Sequence, residues 1–238
     1  MKSSLFRSLW SLHLITPRGF IRLLRCFLHE GITMMAAVRF AARYHAHECA
    51  VVSDNQRIDY QDFYAFAKKL SYVLYHEYQL RSGQHVALFC RNHLVSALLL
   101  PALSRLGVNV KLLNTDLSNE QLLQLMSRPF ALFIYDKELL QVENIDITCP
   151  QVSCESLLET IKEQLLTDNV VLPYIKRGGN ISVMTGGSSG NYKEAARQTG
   201  IVQFLPPFFS LLRDLHIDSY QSVLIGLPFY HGFGLATL

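Results

Sequence analysis

Residues 180–193 have the sequence NISVMTGGSSGNYK, and this stretch says more about the fold than any other. The apolar run 180–184 predicts a β-strand, and it leads directly into a loop rich in glycine and serine. Glycines allow a tight backbone path whose N–H groups face inward, while the hydroxyls and a lysine add further donors. These are the parts of a polyphosphate cradle, predicted from Thr185, Gly186, Gly187, Ser188, Ser189, Gly190 and Lys193.

The loop matches neither of the two common phosphate-binding patterns. Its spacing differs from the G-x-x-x-x-G-K-[ST] loop of P-loop nucleotidases, and it lacks the G-x-G-x-x-G fingerprint of dinucleotide-binding folds. From the residues alone, a flexible polar turn therefore stays open as the alternative to a phosphate cradle.

Outward from this loop, short apolar strands alternate with amphipathic helices. This alternation predicts an α/β fold with mainly parallel sheets flanked by helices, in which ligands bind beyond the carboxyl ends of strands. The predicted helices are 35–44, 60–78, 94–106, 117–126 and 155–166. The predicted strands are 50–53, 57–59, 85–90, 108–113, 130–135, 180–184 and 222–227.

Composition excludes several classes of protein. The chain has 238 residues, 50% hydrophobic and 17% charged, which excludes a disordered or low-complexity chain. A net charge of +3 is too small for a nucleic-acid-binding protein. Five cysteines without a tight pattern predict reduced thiols and a cytosolic location rather than a disulfide framework. Only Cys149 and Cys154 lie close in sequence, and no second pair completes a zinc spacing, so no metal site is predicted.

The first 31 residues form a basic leader, distinct from the body at 32–238. Thr16 as N-cap, Pro17 at the first helical position and Gly31 as the stop predict a helix. Its apolar face comprises Phe20, Leu23, Leu24, Phe27 and Leu28, and a separate basic face comprises Arg18, Arg22 and Arg25. This pattern is typical of a helix lying in a membrane interface. Packing of the apolar stripe on the body, or a mitochondrial transit peptide, are the alternatives.

The glycine-rich loop resembles the phosphate-loop signature of the adenylate-forming enzymes, which include acyl-CoA synthetases. Tyr192 and Glu194 depart from the family pattern, which usually has proline and glycine there. Three further segments resemble family segments in the same order, and the resemblance extends from about residue 33 to the last residue. These segments are 57–63 (RIDYQDF), 106–114 (LGVNVKLLN) and 227–234 (LPFYHGFG).

The resemblance implies a partial N-terminal domain of an ATP- and magnesium-dependent ligase, with coenzyme A as the thiol co-substrate. The loop and Lys193 would hold the β- and γ-phosphates. His231 would be catalytic, beside the reacting carboxylate, and Tyr230 and Gly234 would line the substrate side with it. A structural histidine that only shapes its loop is the alternative for His231.

Family members run to about twice this length, and their magnesium-binding glutamate and late catalytic lysine come after the segment corresponding to residue 234. We therefore expect a missing C-terminal half, or a partner chain that supplies it. The apolar sequence and the leader favour a fatty acid as substrate, and aryl and amino acids stay open. We expect a cytoplasmic protein, peripheral on the membrane. A second hypothesis is a non-catalytic, degenerate member of the family that binds a nucleotide, a lipid surface or a partner.

Overall fold

The computed structural model describes residue 10 and residues 16–53, 56–139, 147–163, 171–185, 193–195, 220 and 222–231. The helices are α1 (Pro17–Glu30), α2 (Met34–Tyr44), α3 (Tyr60–His76), α4 (Leu94–Leu106), α5 (Asn119–Met126) and α6 (Cys154–Glu163). The strands are β1 (Cys49–Ser53), β2 (Gln56–Asp59), β3 (His85–Phe89), β4 (Asn109–Leu112), β5 (Leu132–Tyr135), β6 (Gln151–Ser153), β7 (Ile181–Thr185) and β8 (Lys193–Ala195).

The main sheet has six strands in the order β6-β5-β3-β4-β7-β8. The first five are parallel, and β8 pairs antiparallel with β7 at the edge. Strands β1 and β2 form a separate antiparallel hairpin. The predicted α/β class with a mainly parallel sheet is therefore confirmed. Because five strands are parallel, their carboxyl ends all lie along the same edge of the sheet, which runs across the strands.

Helix α4 is the centre of the core, and every one of its residues is buried. Apart from Ser96, Ser104 and Arg105 it is apolar, as expected of a helix enclosed by its neighbours. His93 caps its first turn, and Gly107 ends it with a left-handed φ of 69° that favours glycine. The sequence predicts both ends of this helix correctly. Helix α3 packs beside α4 through buried residues that include Ala67, Leu70 and Leu74.

Helix α1 begins and ends where the sequence predicts. Thr16 accepts a hydrogen bond from the Gly19 N–H at 3.0 Å, and Gly31 follows the last turn with φ 70°. Buried Gly19 and Cys26 lie on the face that α1 turns inward, and Cys26 packs against α2. In the described part of the chain, no helix is long and apolar enough to cross a membrane.

The predicted apolar face of α1 is partly buried and partly exposed in the structure. Leu23 and Phe27 are half-buried against α2, whereas other apolar residues of the helix are exposed. Because α2 packs on the side of α1 that carries Cys26, with Leu23 and Phe27 at its border, this one neighbour covers only part of a broad stripe. The exposed set, which we call the apolar strip, comprises Phe20, Ile21, Leu24 and Leu28.

The strand predicted over 222–227 is wrong. These residues form no strand, and no described strand pairs with them. A strand needs a hydrogen-bonding neighbour, and the apolar character that suggested one is largely exposed to solvent: Leu224 is 95% exposed. His231 therefore does not follow a strand, and other contacts fix its position.

Candidate functional site

Asn92 holds the segment 227–231 at the carboxyl end of β3. Its Nδ2 donates to the Leu227 carbonyl at 2.8 Å, and its Oδ1 accepts from the Phe229 N–H at 2.9 Å. One amide side chain thus satisfies a donor and an acceptor of a segment more than 130 residues away in sequence. Sequence reasoning missed Asn92, and the available signal was a polar residue between a strand and a helix.

Thr115 makes the second attachment, beyond the carboxyl end of the neighbouring strand β4. Its hydroxyl donates to the Tyr230 hydroxyl at 3.0 Å. Phe229 and Tyr230 are buried and join the main core, whereas His231 is exposed. The His231 N–H donates to the Pro228 carbonyl at 2.9 Å, which closes a turn and presents the imidazole to solvent.

These contacts refine the predicted roles on the substrate side. The structure brings Tyr230 and His231 together, with ring centroids 4.9 Å apart. Tyr230 is an anchor, because its ring is buried and its hydroxyl is bonded, while His231 is the accessible member of the pair. Gly234 lies outside the described residues.

Strands β7 and β8 carry the two ends of the glycine-rich loop. Thr185, the last residue of β7, is the register partner of Lys193, the first residue of β8. Both residues therefore lie at the mouth of the loop. The five central residues of the predicted cradle, Gly186, Gly187, Ser188, Ser189 and Gly190, lie outside the described residues.

The sheet order places these parts at one edge. Strands β3, β4 and β7 are neighbours, and their carboxyl ends carry Asn92, Thr115 and the loop mouth at Thr185. This edge is where ligands bind in open parallel α/β sheets. A narrow cavity, no larger than a water molecule, lies behind it between the sheet, α4 and the Tyr230 ring.

A second group of polar side chains lies further along the same edge. The Cys90 and Cys154 Sγ atoms are 3.3 Å apart, and with an Asp136 carboxylate oxygen they form a group within 4.8 Å. His93 Nε2 lies 2.8 Å from Asp136 Oδ1. The sequence analysis did not identify this group, because its members are 46 and 18 residues apart and no two of them form a close pair of ligands.

The charges within this group follow from its hydrogen bonds. Burial raises the pKa of Asp136, but the bonds from His93 and the Arg91 N–H outweigh it, so the pKa is lowered and the carboxylate stays ionised. The pKa of Cys90 is raised by burial, and that of Cys154 by its hydrogen bond with Cys90 and by burial. Both thiols are therefore protonated at neutral pH.

Two influences oppose each other on the His93 ring. Burial lowers its pKa, and the hydrogen bond and charge of Asp136 raise it above the ordinary range. However, Nδ1 accepts from the N–H groups of Val95 and Ser96 at 3.1 and 3.2 Å, which requires an unprotonated Nδ1. While it caps α4, the ring is thus the neutral Nε2–H tautomer.

Comparisons with known proteins agree with this topology. The family model for the AMP-binding enzymes matches residues 38–238. No match was found among curated proteins. The o-succinylbenzoate coenzyme A synthetase MenE from Bacillus subtilis, solved with ATP and magnesium, is 20% identical with a TM-score of 0.66. The alignment covers 84% of this chain and 52% of MenE, so the chain spans about half the length of that relative.

Two other solved structures show the same fold. A protein assigned as a long-chain fatty-acid CoA ligase from Rhodopseudomonas palustris is 18% identical with a TM-score of 0.66, covering 88% of this chain and 55% of its own. The N-terminal domain of FACL13 from Mycobacterium tuberculosis is also 18% identical with a TM-score of 0.66, covering 87% and 54%. At these identities the likeness shows the fold alone.

Proposed function

Because the chain belongs to the AMP-binding enzyme family, we propose that it forms the phosphate-binding and substrate-side part of an adenylate-forming ligase. Such a ligase joins a carboxylate to the AMP portion of ATP, releases pyrophosphate and passes the acyl group to the thiol of coenzyme A. One observation carries the proposal: β7 leads into the glycine-rich loop at the sheet edge where Asn92 and Thr115 fix the segment 227–231.

Each part has a chemical role in this proposal. The loop's N–H groups and hydroxyls, with Lys193, hold the β- and γ-phosphates and stabilise the charge that grows on departing pyrophosphate. His231 is exposed on a turn that Asn92 and Tyr230 fix, so its ring donates a hydrogen bond to the reacting carboxylate and orients it. Preorganised donors of this kind require no rearrangement during the reaction.

The described residues hold no group suited to magnesium. The group of potential ligands found among them contains two thiols, whereas Mg²⁺ takes oxygen ligands in an octahedral shell. We therefore assign no protein ligand of this chain to magnesium, which would neutralise phosphate charge when bound. We also assign none of the described residues to coenzyme A.

We propose a fatty acid as the carboxylate, with an arylcarboxylate as the competing class. Val223, Leu224 and Leu227 are exposed apolar residues on the segment that leads to His231, and they offer surface to an alkyl chain. The cavity behind Tyr230 is too small for an acyl chain, so the acyl group would lie outside it. Comparing hexanoate, palmitate and o-succinylbenzoate as substrates separates the two classes.

Carboxylate-dependent ATP–pyrophosphate exchange tests the ligase proposal. We expect exchange by the chain once the missing C-terminal half is supplied, and we call this the completed chain. Lys193→Ala and His231→Ala in the completed chain should each lose at least tenfold, because each removes a charge-assisted or oriented hydrogen bond. His47→Ala is the matched control, since His47 is an exposed histidine on the loop before β1. ATP binding without any exchange by the completed chain would favour the non-catalytic hypothesis.

The apolar strip supports a second proposal, that α1 docks on an anionic membrane surface. Phe20, Ile21, Leu24 and Leu28 are 49–65% exposed, although each is large and apolar. The exposed side chains of Arg18, Arg22 and Arg25 lie beside the strip and match the negative charge of lipid headgroups. Glu30 ties the helix end to the body through Arg39 and Arg105, so the strip is held at a fixed orientation.

Vesicle sedimentation tests this docking. We expect the chain to bind vesicles of phosphatidylcholine with one-third phosphatidylserine, and to bind pure phosphatidylcholine much more weakly. Three arginines at about 1 kcal/mol each amount to about a hundredfold in affinity. Leu24→Glu should abolish binding, whereas Val52→Glu, at an exposed valine on β1, should not. If Leu24→Glu instead converts a dimer into a monomer, a second copy of the chain covers the strip.

A further inference from the structure

Three potential metal ligands meet at the carboxyl ends of three neighbouring strands. Cys90 directly follows β3, Asp136 directly follows β5, and β6 leads straight into Cys154, the first residue of α6. The sheet order β6-β5-β3 makes these ends adjacent. We call these three residues the thiol–carboxylate cluster. The fold thus assembles the cluster from positions that are far apart in sequence.

The distances within the cluster suit a bound metal ion better than a disulfide. The two Sγ atoms are 3.3 Å apart, and the three ligand atoms lie within 4.8 Å of one another. In a tetrahedral site with Zn–S bonds of about 2.3 Å the sulfurs are about 3.8 Å apart, so they need to separate by about 0.5 Å. A disulfide bond of about 2.05 Å requires a larger movement in the opposite direction.

The surroundings of the cluster fix its carboxylate in place. His93 Nε2 donates to Asp136 Oδ1, and the Arg91 N–H donates to Oδ2, each at 2.8 Å. Outer hydrogen bonds of this kind orient the ligands of natural metal sites. Each carboxylate oxygen keeps a further lone pair for a metal ion. Asp136 and Cys154 are 4% and 2% exposed, whereas half-buried Cys90 offers a path for entry.

The surroundings of the cluster also stabilise the net charge that it would carry with a metal ion bound. Two thiolates and one carboxylate around a divalent cation leave one net negative charge. Cys154 is at the N-terminus of α6, and His93 caps the N-terminus of α4 beside the cluster. The positive ends of these two helix dipoles stabilise negative charge at this edge of the sheet.

We propose that Cys90, Cys154 and Asp136 bind Zn²⁺, with water in the fourth position. Thiolate ligands select zinc over the hard cations magnesium and calcium. On binding, each thiol releases its proton to the solvent and forms one sulfur–zinc bond, with no change of oxidation state. The ion would join the ends of β3, β5 and β6 and stiffen the loop 90–93, from which Asn92 holds the segment 227–231.

Zinc retention by the metal-stripped, reduced chain tests this inference. After incubation with zinc chloride and desalting, we expect one zinc per chain. Cys90→Ser and Asp136→Asn should each weaken binding at least tenfold, and His93→Gln should weaken it roughly 10- to 100-fold by releasing the carboxylate. Cys149→Ser is the matched control, because Cys149 is another half-buried thiol outside the cluster, and it should bind zinc as the wild type does.

Cobalt binding by the wild-type chain tests the site through an absorption band, and this test does not require any variant to fold. Co²⁺ bound to the wild-type chain should give a thiolate-to-metal charge-transfer absorption, and Cys90→Ser should lose part of it. A wild-type chain that retains less than a tenth of a zinc, or that binds cobalt without this absorption, overturns the inference. So does zinc binding that survives Cys90→Ser but is lost in His47→Ala, because surface histidines would then hold the metal.

Discussion

Removing the Glu30 carboxylate should destabilise the whole domain. Glu30 accepts hydrogen bonds from Arg39 Nη1, Arg105 Nε and the Tyr64 hydroxyl, each at 2.7 Å. The side chains of Glu30 and Arg105 are only 9% and 7% exposed, so solvent screens their interaction little. Arg105 also donates to the Pro173 carbonyl at 2.9 Å and thereby connects the segment 171–180 to the same centre.

The magnitude follows from the charge that the substitution leaves behind. Glu30→Ala leaves the Arg105 guanidinium buried without its anion, and breaking a buried pair in this way costs about 3–5 kcal/mol. A domain of this size has a total stability of about 5–15 kcal/mol, so the loss is a large fraction. Glu30→Gln keeps the shape and one acceptor, and we expect a smaller loss of about 1–3 kcal/mol.

Urea denaturation followed by circular dichroism measures these free energies of unfolding. Glu159→Ala, at an exposed glutamate on α6, is the matched control and should change the free energy by less than about 0.5 kcal/mol. The double variant Glu30→Met, Arg105→Met should be more stable than Glu30→Ala, because the guanidinium of Arg105, which is more buried than that of Arg39, is not left unpaired. A loss below about 1 kcal/mol in Glu30→Ala, or a double variant less stable than it, would refute the reasoning.

Three further predictions concern pH, the substrate-side segment and the end of α1. Burial raises the pKa of Glu30, but bonds from Tyr64 and Arg105 outweigh it and lower the pKa below its ordinary value of 4.5. The stabilisation that ionised Glu30 provides is therefore complete above about pH 4.5 and is lost as the pH falls below that. The free energy of unfolding, measured at pH 7, 5 and 3, should fall more steeply in the wild type than in Glu30→Gln, which has no carboxylate to protonate at this position. Asn92→Ala should speed amide exchange in the segment 227–231 while leaving α4 protected, because two of that segment's backbone groups lose their partner; unchanged exchange there would contradict the assignment. Gly31→Ala should lower the melting temperature by several degrees, because Gly31 has φ 70° and a Cβ would clash with the Ile175 carbonyl, whereas Gly83→Ala, also at positive φ but with open space around it, should cost less.

Local signals in the sequence predict most of the described fold. Thr16, Gly31 and Gly107 mark helix ends through capping chemistry that depends only on near neighbours. The apolar runs of β3 and β5 identify buried parallel strands, and the alternation of strands with helices gives the fold class. These features were predictable because each depends on a short stretch of chain.

The parts that sequence reasoning missed depend on contacts between distant residues. Apolar residues 222–227 suggested a strand, but the segment 227–231 is held by side-chain bonds from Asn92 rather than by a strand ladder. The wide apolar face of α1 gave no indication that α2 would cover only the part that includes Leu23 and Phe27. The thiol–carboxylate cluster was invisible because strand order, which a single sequence does not reveal, brings its members together.

The central claim is that residues 185–193 bind the phosphates of a nucleotide, and titration of the chain with Mg·ATP tests it most directly. Lys193→Ala should weaken binding roughly 10- to 100-fold, the value of one charge-assisted hydrogen bond of about 1.5–3 kcal/mol. Lys162→Ala, at an exposed lysine on α6, should leave the affinity unchanged. Equal affinities for the wild type and Lys193→Ala, or no binding of ATP by the wild type at millimolar concentration, would contradict the account.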